Sequence, residues 1–201
     1  MADLVVGFDL DMTLVDSRPG ITAVLEQLNV SHGYRIDADA VVSKLGPPFA
    51  EMIAPYVAEE CLAHAVEQYR TLYPSIAIAS TEPLPGAREA LDYVRDAGYR
   101  LLVLTGKFES NARLHLEALG FPYDRLVGAR WASGKTEVLR EESATVYVGD
   151  HAGDMRSAKD AGAIAVGVPT GGLSAEELRL AGADVVLDSL WSLPDWLRDN
   201  L

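Results

Sequence analysis

The chain has 201 residues, enough for one ordinary domain with room for an inserted lobe and too few for a multidomain assembly. With 49% hydrophobic and 23% charged residues, it can bury a sizeable core and is not globally disordered. A formal net charge of -13, with Lys and Arg scattered along the chain, argues against nucleic acid and against an anionic membrane surface as partners. Cys61 is the single cysteine, so neither an internal disulfide nor a thiolate cluster can form within one chain, and it reads as a buried, inert thiol. No apolar run approaches the ~18 residues of a membrane span, and Met1 to Gly7 lacks the basic flank and cleavage site of a secretory signal. These features lead to the expectation of a soluble, cytoplasmic protein, monomeric or homodimeric.

Short apolar runs alternate with segments of helical period, the pattern of an α/β fold with a doubly wound, Rossmann-like parallel sheet. In chain order, strands are expected at Leu4–Phe8, Arg100–Leu104, Thr145–Val148, Ile164–Val168 and Val185–Leu187. Several are apolar at nearly every position, as strands covered on both faces should be. Ala87, Ala90, Leu91, Val94 and Ala97 follow a helical period that Gly98 ends; Ser110 is expected to cap the next helix, which closes at Gly120. Ser174 and Glu177 have the spacing of a capping box. Roughly ninety residues separate the first two strands, far more than a crossover needs. The excess, residues 17–80, carries helical stripes (Ile21, Val24, Leu25, Leu28, then Leu62, Ala65, Val66, Tyr69) and reads as an inserted helical domain. The core would then comprise 1–16 and 81–201, with the Pro-rich stretch from Thr81 to Gly86 marking the return.

Ligands of open α/β sheets bind outside the carboxyl ends of the strands. Those ends carry Asp9-Leu10-Asp11-Met12-Thr13, Thr105-Gly106-Lys107 and Gly149-Asp150-His151-Ala152-Gly153-Asp154, and a loop adds Gly134-Lys135-Thr136. Four carboxylates on one edge raise one another's pKa unless a cation sits among them, and Mg²⁺ with oxygen ligands is the natural remedy. Any one of these residues alone reads as a turn, a helix cap or a solvated lysine. Together, and in this order, they mark a site.

The constellation resembles the haloacid dehalogenase superfamily of phosphotransferases across nearly the whole chain. Phe8 to Ser17 looks like its first motif, Thr105 its second, Lys135 its third, and Gly149 to Asp154 its fourth; the insertion after the first motif matches a C1-type helical cap. Gly46-Pro47-Pro48 and the tail from Ala165 to Leu190 are similar to phosphoglycolate-phosphatase-like members. The resemblance implies a Mg²⁺-dependent phosphatase acting on a small phosphorylated metabolite. Asp9 would be the nucleophile and Asp11 the general acid and base. Mg²⁺ would be held by Asp9, the Asp11 carbonyl and Asp150, with Asp154 orienting metal-bound water or Lys135. Thr105 and backbone N–H groups would bind the phosphoryl oxygens and Lys135 would neutralise the anions. Gly106, Lys107, Gly46 and Pro47 would face the substrate.

Met12 stands where many such phosphatases have Gly, and Gly106 where Asn is common. His151 reads as a loop residue, and Arg18 and Lys107 as side chains able to meet an anion. A sugar phosphomutase would use the same Asp9 and Asp11. A haloacid dehalogenase would need neither a metal nor an acid at Asp11, and Gly134-Lys135-Thr136 lacks the upstream Gly of a P-loop, Ala129 standing in its place.

Overall fold

Val5–Phe8 (β1) and Arg100–Leu104 (β4) are strands because they are short, rich in branched and aromatic residues and apolar on both faces. Alternate residues feed opposite layers: Leu101 and Val103 pack with the helices Ala87–Asp96 (α5), Glu109–Leu119 (α6) and Leu193–Asn200 (α10), whereas Leu102 and Leu104 pack with Ser133–Glu141 (α7), Ala152–Ala161 (α8) and Ala175–Leu180 (α9). The computed structural model describes residues 4–201; Met1, Ala2 and Asp3, where the expected core and the signal-free start begin, lie outside the described residues. With Arg125–Val127 (β5), Val146–Gly149 (β6), Ile164–Gly167 (β7) and Val185–Val186 (β8), β1 and β4 form one six-stranded sheet of order β5-β4-β1-β6-β7-β8. Every pairing in it is parallel. The fold is thus the doubly wound, Rossmann-like sheet expected. Its direction of winding reverses at β1, flanked by β4 and β6, where such sheets bind ligands.

Three elements differ from the sequence reading. β5 was not expected; its three residues, one of them a charged Arg, carry too little pattern to declare a strand. Val15–Asp16 (β2) and Glu82–Pro83 (β3) form a small antiparallel pair that joins residues far apart in sequence, with Pro83 tolerated because this two-residue strand is an edge. Ser110 does not cap α6: Phe108 holds that position without a side-chain hydrogen bond, and Ser110 lies inside the first turn. Cys61 is half-buried rather than buried.

Between β2 and β3 lie helices joined by loops. Arg18–His32 (α1), Ala38–Val42 (α2), Phe49–Ile53 (α3) and Glu59–Ile76 (α4) enclose an apolar cluster of their own, including Ile21, Val24, Leu25, Leu28, Ala65, Tyr69 and Tyr73. This lobe meets the sheet domain at a buried polar contact, the Tyr73 hydroxyl lying 2.9 Å from His115 Nε2 on α6. Burial, reinforced by the nearby Lys107 ammonium, depresses the His115 pKa to about 4, so the ring is neutral. Its Nδ1 has no partner among the described residues. Tyr73→Phe would strip the other nitrogen too, and is expected to cost about 1–3 kcal/mol, read from the urea unfolding midpoint; a loss below ~0.5 kcal/mol would show the contact to be dispensable.

Candidate active site

The loop after β1 is built as a tight wrap. The Leu10 carbonyl accepts from the N–H of Leu14 (2.9 Å) and of Val15 (3.1 Å), and the fully buried Leu10 and Leu14 anchor the loop in the core. Asp9 and Asp11, on either side of Leu10, both line the cavity at this sheet edge. Met12 closes the wrap with φ 60°, a left-handed conformation that suits Gly better and costs a Met about 1–2 kcal/mol. Met12 recovers burial there, being almost wholly enclosed.

Asp9, Asp150 and Asp154 each present a carboxylate oxygen within 4.8 Å of the others, and all three are buried. Lys135, only 2% exposed, projects into this group from the first turn of α7 rather than from a loop. Its ammonium donates to Asp9 Oδ1 (2.8 Å), Asp154 Oδ1 (2.6 Å) and the Tyr147 hydroxyl (2.9 Å). Tyr147, on β6, is held in turn by donating to the Leu104 carbonyl at 2.7 Å. The carboxylates lift Lys135 well above its ordinary pKa against the opposing pull of burial, so it stays charged. Asp154 has both oxygens engaged, since Oδ2 accepts from the His151 N–H at 3.2 Å. Asp150 Oδ1 accepts from Thr13 Oγ1 at 2.9 Å.

Among the described residues no protein donor reaches the second oxygen of Asp9 or of Asp150. The chain also passes close to Asp150 at Gly171, where a Cβ would lie 1.9 Å from Asp150 Oδ2. One ammonium among three carboxylates leaves the pocket with excess negative charge. Burial, then the neighbouring charges of Asp154 and Asp11 against that of Lys135, puts the Asp9 pKa at about 6, and burial with Asp9 and Asp154 pushes Asp150 well above the carboxylate range. Hard oxygen donors, spare lone pairs on two carboxylates and unbalanced negative charge together fit a small divalent cation.

Asp11 stands apart from this trio. Both its oxygens accept from the Lys107 ammonium, at 2.6 and 2.9 Å, and although burial pushes its pKa up, Lys107 outweighs that and holds it below the usual range. Lys107 also lies 4.8 Å from the centroid of the Tyr73 ring, tying the loop after β4 to the lobe. Thr105, at the end of β4, is buried, and its Oγ1 accepts the Lys107 N–H at 3.2 Å.

One cavity of about 270 Å³ takes in Asp9, Asp11, Thr105, Gly106, Lys107, Lys135, Asp150, His151 and Asp154, together with Gly46 and Pro47 of the lobe. The residues picked out by their chemistry in the sequence are therefore brought together at one place. Arg18 is not: it is bound to Asp16 and borders a separate opening. His151 is a helix cap rather than a plain loop residue; its Nδ1 accepts the Gly153 N–H at 3.0 Å in a capping box with Asp154. Tyr147 and Trp131 were missed, and Thr13, although part of the first motif, had no contact assigned to it. A Tyr within a continuous apolar strand carries no sign that its hydroxyl meets a lysine, and the role of Thr13 depends on β6 lying beside β1.

Comparison with known proteins gives the family. The haloacid dehalogenase-like hydrolase family profile matches residues 6–168. A probable phosphatase, IndB, of Dickeya dadantii is 30% identical, covering 94% of this chain and 90% of its own length. A phosphoglycolate phosphatase of Rhodospirillum rubrum is 32% identical, covering 94% and 89%. A haloacid dehalogenase-like family hydrolase from Streptococcus pneumoniae shares the fold, with a TM-score of 0.80 over 98% of this chain and 100% of its own at 23% identity. The chain belongs to the haloacid dehalogenase-like hydrolase family.

Proposed function

We propose that the protein is a Mg²⁺-dependent phosphatase of phosphoglycolate-phosphatase-like type, hydrolysing a small phosphomonoester through an aspartyl-phosphate on Asp9. The observation that carries this reading is the pairing of two chemically different carboxylates at one cavity: Asp9, buried with a spare oxygen beside Lys135, and Asp11, held separately by Lys107. The names of the relatives, phosphatase and phosphoglycolate phosphatase, point the same way.

Asp9, Asp150 and the Asp11 main-chain carbonyl would hold Mg²⁺, which when bound screens Asp9 from the substrate's charge and stabilises charge in the transition state. Asp9 attacks phosphorus, the bond to the alcohol oxygen breaks, and Asp11 delivers a proton to the departing oxygen. Water then attacks phosphorus, Asp11 takes its proton, and the bond to Asp9 breaks to release phosphate. Thr105 and the adjacent N–H groups hold the phosphoryl oxygens, and Lys135 balances the anions throughout. Asp154 keeps Lys135 in place. Residues 17–80 act as a cap that excludes water over the core formed by 1–16 and 81–201.

The direct test is release of nitrophenolate from p-nitrophenyl phosphate. Turnover is expected with millimolar Mg²⁺ and none with excess EDTA; turnover undiminished by EDTA would remove the metal from the reading, and folded protein idle on every ester with Mg²⁺ present would sink the phosphatase.

A further inference from the structure

The chamber beyond the acidic floor is lined mainly by apolar side chains. Phe49 and Tyr69 stack with centroids 3.7 Å apart, Met52 and Val66 extend the lobe's share of the lining, and Phe108 and Trp131 line it from the sheet domain. The loop that carries Trp131 is strained on both sides. Ala129 has φ 53° and Ala132 φ 47° with ψ -120°, left-handed conformations that cost a non-glycine residue on the order of 1 kcal/mol or more each. Strain of this kind persists only where surrounding contacts impose it. Here they hold an indole against the cavity, its ring centroid 5.1 Å from that of His151. The lobe seats on that same indole. Gly46 has φ 142°, and a Cβ there would lie 3.1 Å from Trp131 Cη2.

Two of the three cations lining the chamber are already paired with carboxylates. Lys135 serves Asp9 and Asp154, and Lys107 serves Asp11. Arg70 is exposed, with its guanidinium 3.5 Å from the Phe108 ring centroid. Asn111, buried on α6, adds a neutral amide able to orient one polar atom. A carboxylate on the leaving group would find among the described residues only Arg70, exposed and stacked on Phe108, and a ring of hydroxyls would lose water without a matching set of partners, which is costly. An apolar group would lose nothing of the kind and would gain from burial.

We infer that the leaving group of the natural substrate is an uncharged, largely apolar alcohol, aryl or medium-chain alkyl, with Trp131 and the Phe49–Tyr69 stack as the side chains that select it. This rests on the phosphatase reading above and names the substrate class of that site.

The test is phosphate release from methyl, butyl and hexyl phosphate, whose leaving groups differ little in chemistry, alongside p-nitrophenyl phosphate, phosphoglycolate and glucose 6-phosphate. The expected result is kcat/KM rising about threefold per added methylene until the chamber is full, with phosphoglycolate at least about tenfold below butyl phosphate. Trp131→Ala is expected to flatten the butyl-to-methyl ratio. Met52→Gln, on a half-buried lobe side chain, should do the same and guards against a Trp131 variant that fails to fold. Turnover with a flat chain-length series, or with phosphoglycolate preferred and that preference lost in Arg70→Gln, would overturn the inference while leaving the phosphatase standing. Absence of turnover on every ester, p-nitrophenyl phosphate included, would overturn the phosphatase reading and this inference with it.

Discussion

Lys135→Met is expected to destabilise the protein by about 3–5 kcal/mol at pH 8 in EDTA, because it removes the ammonium that pairs with Asp9 and Asp154 in a buried group of three carboxylates. The loss should depend on pH in a definite direction. The folded-state pKa of Asp9 is already raised to about 6, and that of Asp150 is raised well above its ordinary value, so both take up protons on folding. Groups with raised carboxyl pKa favour the folded state at low pH, and that benefit is lost as pH rises from the ordinary carboxylate value near 4 through 6 and beyond. Without Lys135 both values climb higher still. The deficit should therefore be smallest near pH 5, where Asp9 is mostly protonated, and should grow towards pH 8. Urea unfolding of wild type and variant at the two pH values measures it. A deficit below ~1 kcal/mol, or one equal at both pH values, would show that Lys135 does not carry the charge balance ascribed to it.

The sheet was legible because its central strands are self-declaring. Val5–Phe8, Arg100–Leu104 and Ile164–Gly167 are apolar on both faces, and each begins within one residue of its expected start. The acidic residues were legible for a different reason. An Asp at the end of an apolar strand has no packing role, so Asp9 and Asp150 stand out once the strands are drawn, and the polar Thr105 at the end of β4 stands out with them. Lys135 needed more, since a lysine in a helical first turn normally points to solvent, and only the order of the motifs singled it out. Contacts made by tertiary assembly were invisible. Trp131 lies in a loop with no periodicity, its position set by two strained alanines that the sequence gives no reason to expect. Tyr73 and His115 belong to helices from different parts of the chain, and each alone reads as core. The separate attachment of Asp11 to Lys107 was also hidden, because both residues were expected to face the substrate.

That attachment sets up the sharpest division of labour between the two motif carboxylates. Asp9→Asn is expected to abolish turnover, since an amide cannot form the acyl phosphate, and to weaken Mg²⁺ binding by removing a ligand. The Asn variant should still fold. Asp9 is costly to ionise where it sits, so its neutral isostere is expected to match or exceed wild-type stability in EDTA. Asp11→Asn should behave differently. It removes the proposed proton carrier, with an expected loss of about 10²–10⁴ in kcat, while Mg²⁺ binding by calorimetry stays close to wild type because the contact proposed there is main-chain. Lys107 keeps Asp11 ionised in the resting site, the form needed to accept a proton from water. A phosphoryl dianion arriving beside Asp11 would raise its pKa by like-charge repulsion, letting it take up from solvent the proton that the leaving oxygen requires. The Asp11→Asn defect should accordingly be smaller for p-nitrophenyl phosphate, whose leaving group departs without a proton, than for butyl phosphate. Equal defects on the two esters would deny Asp11 the acid role, and lost Mg²⁺ binding would make its side chain a ligand.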